Sequence, residues 1–244
     1  MYWQEITLIG FGAGAVGTGF GGLLALFLRK PSSRTLGLML GLAAGVMLAI
    51  VFLELLEEGL ETGFIYPVLG LAFGILAFLL LDRYFPHQHF VSKEVHQHAY
   101  VKKGMLIATG IALHNFPEGL AIGAGFAAST SLGITLAILI ALHNIPEGLA
   151  VAVPLKAGGS RRRRIVLITI LAGLPMGVGA LVGALLGSVS TAMLGLSFGF
   201  AAGAMLYIVC DELIPDVYRL TSAHVAIGGI TLGVILGLTM IHFV

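Results

Sequence analysis

The chain has little charge and almost no cysteine. Only 10% of its 244 residues are Asp, Glu, Lys or Arg, against roughly a quarter in a soluble domain that must keep its surface wet. Water is therefore not its main solvent. The single cysteine, Cys210, excludes an intrachain disulfide framework and a thiolate zinc ribbon. No GxxxxGK[ST] phosphate loop occurs, so nothing points to a nucleotide-driven engine, and no HExxH pair occurs to suggest a zincin-type hydrolase. A net charge of +1 gives no reason to expect nucleic acid as a partner. A secretory leader needs a basic start, whereas residues 1–7 offer Glu5 with no Lys or Arg, so the first apolar run is expected to stay in the protein.

What is abundant is apolar surface, 58% of the residues, together with 35 glycines. A bilayer core of roughly 30 Å takes about 20 apolar residues in a helix. Eight such runs are expected, at about 6–28, 36–56, 64–85, 104–128, 132–155, 165–188, 191–213 and 222–244. Glycines costly in a soluble helix let membrane helices approach closely, as Gly10, Gly14 and Gly17 or Gly179, Gly183 and Gly187 would. The 13 basic residues fall in alternate connections: Arg29, Lys30 and Arg34, then Arg83, Lys93, Lys102 and Lys103, then Lys156 and Arg161 to Arg164, then Arg219. Eight spans put all of them on one face, which the positive-inside rule makes cytoplasmic. The expectation is an all-α integral protein of the cell (inner or plasma) membrane with both termini extracytoplasmic. The 86–103 connection then lies inside.

Two motifs carry the chemistry. The fourth span holds His114-Asn115-Phe116-Pro117-Glu118-Gly119 and the fifth His143-Asn144-Ile145-Pro146-Glu147-Gly148. A carboxylate at mid-membrane costs roughly 2.5 kcal/mol or more, so two His/Glu sets call for a compensating cation. Residues four apart share a helix face, so His114 with Glu118 and His143 with Glu147 each present an imidazole beside a carboxylate. Four ligands meet if the helices face one another. Nitrogen and carboxylate oxygen without thiolate suit zinc and borderline neighbours such as cadmium, iron and manganese. Asn115 and Asn144, about 100° round each helix, offer amide oxygens for a second ion bridged by the glutamates. Pro117 and Pro146 free the carbonyls of Leu113 and Leu142 and are expected to bend their helices.

Outside the motifs, His87, His89, His96 and His98 cluster in the 86–103 connection, half of the 8 histidines, as a receiving station for metal or as an ordinary polar loop. Glu54 and Glu61 with Glu57 and Glu58 form an acidic mouth on one side; Asp211 and Glu212 lie in the seventh span as pathway candidates. Met47, Met176 and Met205 are thioethers whose default reading is core. His224 and His242 read as packed or interfacial.

These features resemble the ZIP (Zrt/Irt-like) metal transporters, in particular their short, GufA-like bacterial branch, over the whole chain. The resemblance implies a ZIP-type bundle with an inverted repeat. It implies a primary metal site of His114, Glu118, His143 and Glu147 and a secondary one using Asn115, Asn144 and the bridging glutamates. It also implies influx of zinc by alternating access, spans one, four, five and six moving against the others, and a homodimer. No cofactor is expected beyond the transported metal. Met176 stands where related chains often carry a glutamate, which removes a carboxylate from the secondary site. Other readings of the same ligands are an intramembrane metalloenzyme, a metal sensor or a fixed pore.

Overall fold

The computed structural model describes residues 2–28, 32–84 and 97–243, apart from the side chains of residues 84 and 97–99. Among them lie eight helices long and apolar enough to cross a membrane. We label these α1 (Trp3–Phe27), α2 (Ser33–Glu61), α3 (Ile65–Tyr84), α4 (Gln97–Ala128), α5 (Thr130–Ala157), α6 (Arg162–Gly187), α7 (Thr191–Leu220) and α8 (Ala223–Phe243). Serines start three of them: Ser32, Ser129 and Ser190 accept the free N–H groups of Thr35, Leu132 and Met193, which an unpaired first turn would otherwise leave orphaned.

Hydropathy and helix length differ in three places. Helix α2 runs on to Glu61, α7 to Leu220, and α4 already begins at Gln97, inside the connection expected at 86–103. Backbone hydrogen bonding continues beyond the apolar slab, whereas hydropathy registers only the slab. Helices α4 and α5 continue as helix through Pro117, Pro146 and Pro154. The break falls in α6, between Arg162–Gly173 and Pro175–Gly187. Helices α2 and α7 each contain one wide π turn, Val51–Leu55 and Val209–Leu213.

The helices pack in groups. Helix α1 lies against α5 and both parts of α6, and α4 lies against α5 and the second part of α6; α2 pairs with α8 and α3 with α7. The groups meet where α4 touches α7 and α5 touches α2. Helices α3 and α8 are the least buried. Basic ends gather on one side: Lys156 at the end of α5 donates to the carbonyls of Ala25, Leu26 and Leu28 at the end of α1. Arg34 and Arg219 share one surface groove there, and Leu26 shares another with Arg162 and Arg163. We call this the basic end.

An inverted repeat underlies the packing. GLAAGVMLAIVFLEL at 41–55 in α2 is matched by GFAAGAMLYIVCDEL at 199–213 in α7, identical at ten of fifteen positions, with the π turn in the same place. The two helices cross the bundle in opposite directions. The same offset relates α1 to α6, and there the contacts repeat as well. A Cβ on Gly21 would strike the Ile145 carbonyl of α5; on Gly179, the equivalent of Gly21, it would strike the Phe116 carbonyl of α4. Gly233 of α8 meets the Leu42 carbonyl as Gly74 of α3 meets that of Phe200. The symmetry therefore exchanges α1–α3 with α6–α8 and α4 with α5, the arrangement expected of a carrier built from two oppositely inserted halves.

Candidate metal centre

The last residue of each motif explains how the two come together. A Cβ on Gly119 would meet the Met176 carbonyl of α6, and one on Gly148 the Thr18 carbonyl of α1. Thr18 and Met176 are equivalent under the repeat, so each motif is seated by a backbone contact that only glycine permits. His114, Asn115, Glu118, His143, Asn144 and Glu147 are all buried as a result.

Of the four expected primary ligands, three converge. Glu118, His143 and Glu147 each offer a ligand atom within 4.8 Å of the others. Nε2 of His143 lies 3.2 Å from Oε1 of Glu118. Both carboxylate oxygens of Glu147, and Oε2 of Glu118, are buried without a hydrogen-bond partner. Unpartnered buried carboxylate oxygens are costly and mark the place where a cation is wanted. His114 is turned away from this cluster: its Nε2 lies 3.0 Å from Oε1 of Glu212 on α7. In both pairs the hydrogen bond joins Nε2 to a carboxylate oxygen, the imidazole donating where the glutamate is ionised.

The asparagines differ from one another. Asn115 donates Nδ2 to the Ile111 carbonyl and, at 3.1 Å, to that of Ala172, in the last turn before the break in α6. Its Oδ1 accepts from Nδ2 of Asn144 at 2.9 Å. Asn115 is thus committed to holding α4, α5 and α6 together. Asn144 keeps a buried Oδ1 with no hydrogen-bond partner, pointing to it as the freer amide ligand of the two.

A cavity of about 50 Å³ leads from His114 and Glu147 past Gly110, Ala150, Glu212 and Asp216. Those residues lie on the basic-end side of the motifs. On the other side Met47, Ile50, Ile122, Leu139, Ile140 and Ala202 have no exposed surface. Among the described residues the cavity lies on the basic-end side of the centre, and fully buried apolar side chains lie on the other.

The remaining candidates fall into three sets. Met176 is fully buried in the core cluster, where its backbone faces Gly10 and Gly119. Glu54 is buried at the opposite end, with Glu57 and Glu61 exposed beyond it. Asp211 is exposed and Glu212 only partly buried, while His224 and His242 are exposed on α8. The loop histidines His87, His89 and His96, with the side chain of His98, lie outside the described residues. The contact missed from motif spacing is the one between His114 and Glu212. Its signal was present in the repeated helix that carries Glu212.

A family model described as "ZIP Zinc transporter" matches residues 87–241. The chain is 34% identical over 239 residues to "Zinc transporter ZupT" of Stenotrophomonas maltophilia (strain R551-3), covering 91% of this chain and 89% of that one. It is 33% identical over 249 residues to "Zinc transporter ZupT" of Chlorobium chlorochromatii (strain CaD3), covering 93% of each. It is 38% identical over 226 residues to "Zinc transporter ZIPB" of Bordetella bronchiseptica, covering 87% and 72% respectively.

Proposed function

Because this chain belongs to the ZIP zinc transporter family, we propose that it carries zinc across the membrane by alternating access, with Glu118, His143 and Glu147 as the core of its metal site. The observation that carries this reading is the buried cluster of one imidazole and two carboxylates with unpartnered oxygens, bordered at Glu147 by a cavity on the basic-end side. A metalloenzyme using the same ligands is not favoured, since the family consists of transporters.

Zinc sheds water onto these ligands, with Oδ1 of Asn144 as an added donor and His114 joining once it leaves Glu212. Cadmium, iron and manganese fit the same nitrogen and oxygen donors. An imidazole binds metal only when neutral, so each imidazolium at the site gives up its proton on loading. With the basic end cytoplasmic, the conformer described is the one that discharges its ion inward, past Glu212 and Asp216. An inside-negative potential favours a divalent ion moving that way by about 4.6 kcal/mol per 100 mV. The protein is taken to work as a homodimer, which cross-linking in the native membrane tests.

The deciding experiment is zinc flux into liposomes holding the purified protein and a trapped zinc-sensitive dye. Wild type gives saturable flux with counterflow, and Glu147→Ala gives none. Binding of zinc without any flux in wild type would leave a sensor as the better reading.

A further inference from the structure

The symmetry that relates the two halves holds at the glycine seats of the packing and is broken at the histidines of the metal centre. The repeat makes Glu54 of α2 the equivalent of Glu212 of α7, each in a π turn and each followed by leucine. It also makes His143 the equivalent of His114. The mirror image of the His114–Glu212 pair is therefore a His143–Glu54 pair. That pair is not made: His143 lies against Glu118, and Glu54, buried, has no hydrogen bond or ion pair among the described residues.

We propose that Glu54 is the second gate carboxylate, and that in the conformer open to the opposite end it takes His143 as Glu212 here takes His114. The proposal rests on the transport reading above. In that mirror state His114, released from Glu212, turns to Glu147, as His143 here turns to Glu118. His114 and Glu147 already line one cavity, which makes this exchange a short one. At each end, then, one glutamate on a fixed π turn holds the nearer histidine while the site is open to that end, and yields it when the site closes. An arriving ion meets Glu54 with His143, and a departing ion meets Glu212 with His114. Glu54 is thereby a ligand of the loading step and more than one member of an acidic mouth. The exposed Glu57 and Glu61, a turn or more beyond, have no counterpart in that role.

The test compares the two carboxylates by side. Zinc flux is measured in right-side-out and inverted membrane vesicles for wild type, Glu54→Gln and Glu212→Gln. The ratio of half-saturating zinc concentrations between the two sides is expected to shift about tenfold in Glu54→Gln and about tenfold the other way in Glu212→Gln. Equal shifts in both vesicle types for Glu54→Gln would overturn the proposal. Absence of flux in wild type would instead remove the transport reading itself. A second measurement does not depend on flux: in a Cys210→Ser background, mercuric ion should bridge Glu54→Cys with His143→Cys, as it bridges the reference pair Glu212→Cys with His114→Cys. Bridging of the reference pair alone would also overturn the proposal.

Discussion

Gly21 of α1 rests on the Ile145 carbonyl of α5, and Gly179 of α6 rests in the same way on the Phe116 carbonyl of α4. Yet His114 reaches across to Glu212 while His143 stays within its own helix pair, on Glu118. The contacts that obey the symmetry lie inside the groups, α1 with α5 and α4 with α6, or α2 with α8 and α3 with α7. The contact that breaks it lies between the groups. Two halves seated alike by glycine but unequal across one boundary support that boundary as the sliding surface of the proposed cycle. The interiors of the groups are the better candidates for its solid pieces, because glycine-seated backbones leave little slack for rearrangement.

The largest effects come from the ligands. His143→Ala and Glu147→Ala each lower zinc flux at least about 100-fold. His114→Ala matches them in flux, since each imidazole serves one phase of the cycle, but costs less in equilibrium zinc binding measured by calorimetry, because only His143 stands beside both carboxylates in this conformer. Equal losses of binding in the two variants would show that the halves are equivalent at rest. Next come the motif glycines: Gly119→Val and Gly148→Val each destabilise the bundle by about 2 to 3 kcal/mol, read as similar drops in thermal unfolding midpoint in detergent. A large effect from only one of them would break the equivalence of Thr18 and Met176.

The eight long apolar helices were legible because the bilayer imposes length, and their common basic end because basic residues sort by side. The closeness of His143, Glu147 and Glu118 was legible because i and i+4 share a helix face. Which partner His114 takes was not, since His114 and Glu212 are far apart in sequence and the pair belongs to one conformer. Nor was the helix break, which Pro117 and Pro146 invite more than Pro175 does. In α4 and α5 Gly119 and Gly148 seat the turn after each proline closely on a neighbouring helix. In α6 the opened turn at Gly173 supplies the Ala172 carbonyl that Asn115 uses.

Acidification offers a smaller and more even effect. Each imidazole proton displaced on loading weakens zinc binding about tenfold for every pH unit lowered below the imidazole range, and His143→Ala flattens that dependence more than His114→Ala. Calorimetry across a pH series reads both. The smallest effect concerns a feature without a chemical twin. Lys156 ties the end of α1 by three hydrogen bonds, whereas its counterpart Ala127 merely packs on Gly187 at the end of α6. Lys156→Met costs about 1 kcal/mol, visible as faster hydrogen exchange in the last turn of α1.

The wide turns of α2 and α7 have a mechanical meaning. One residue more than an α-helical turn would hold offsets everything beyond it by about 100° of rotation and about 1.5 Å of advance. Each rod therefore arrives at its far end wound slightly out of phase with its own beginning. Were such a turn to tighten, the carboxylate it carries would swing off its histidine and the rod beyond it would turn and advance by that same step. A latch of that kind would let go by a screw motion of one rod.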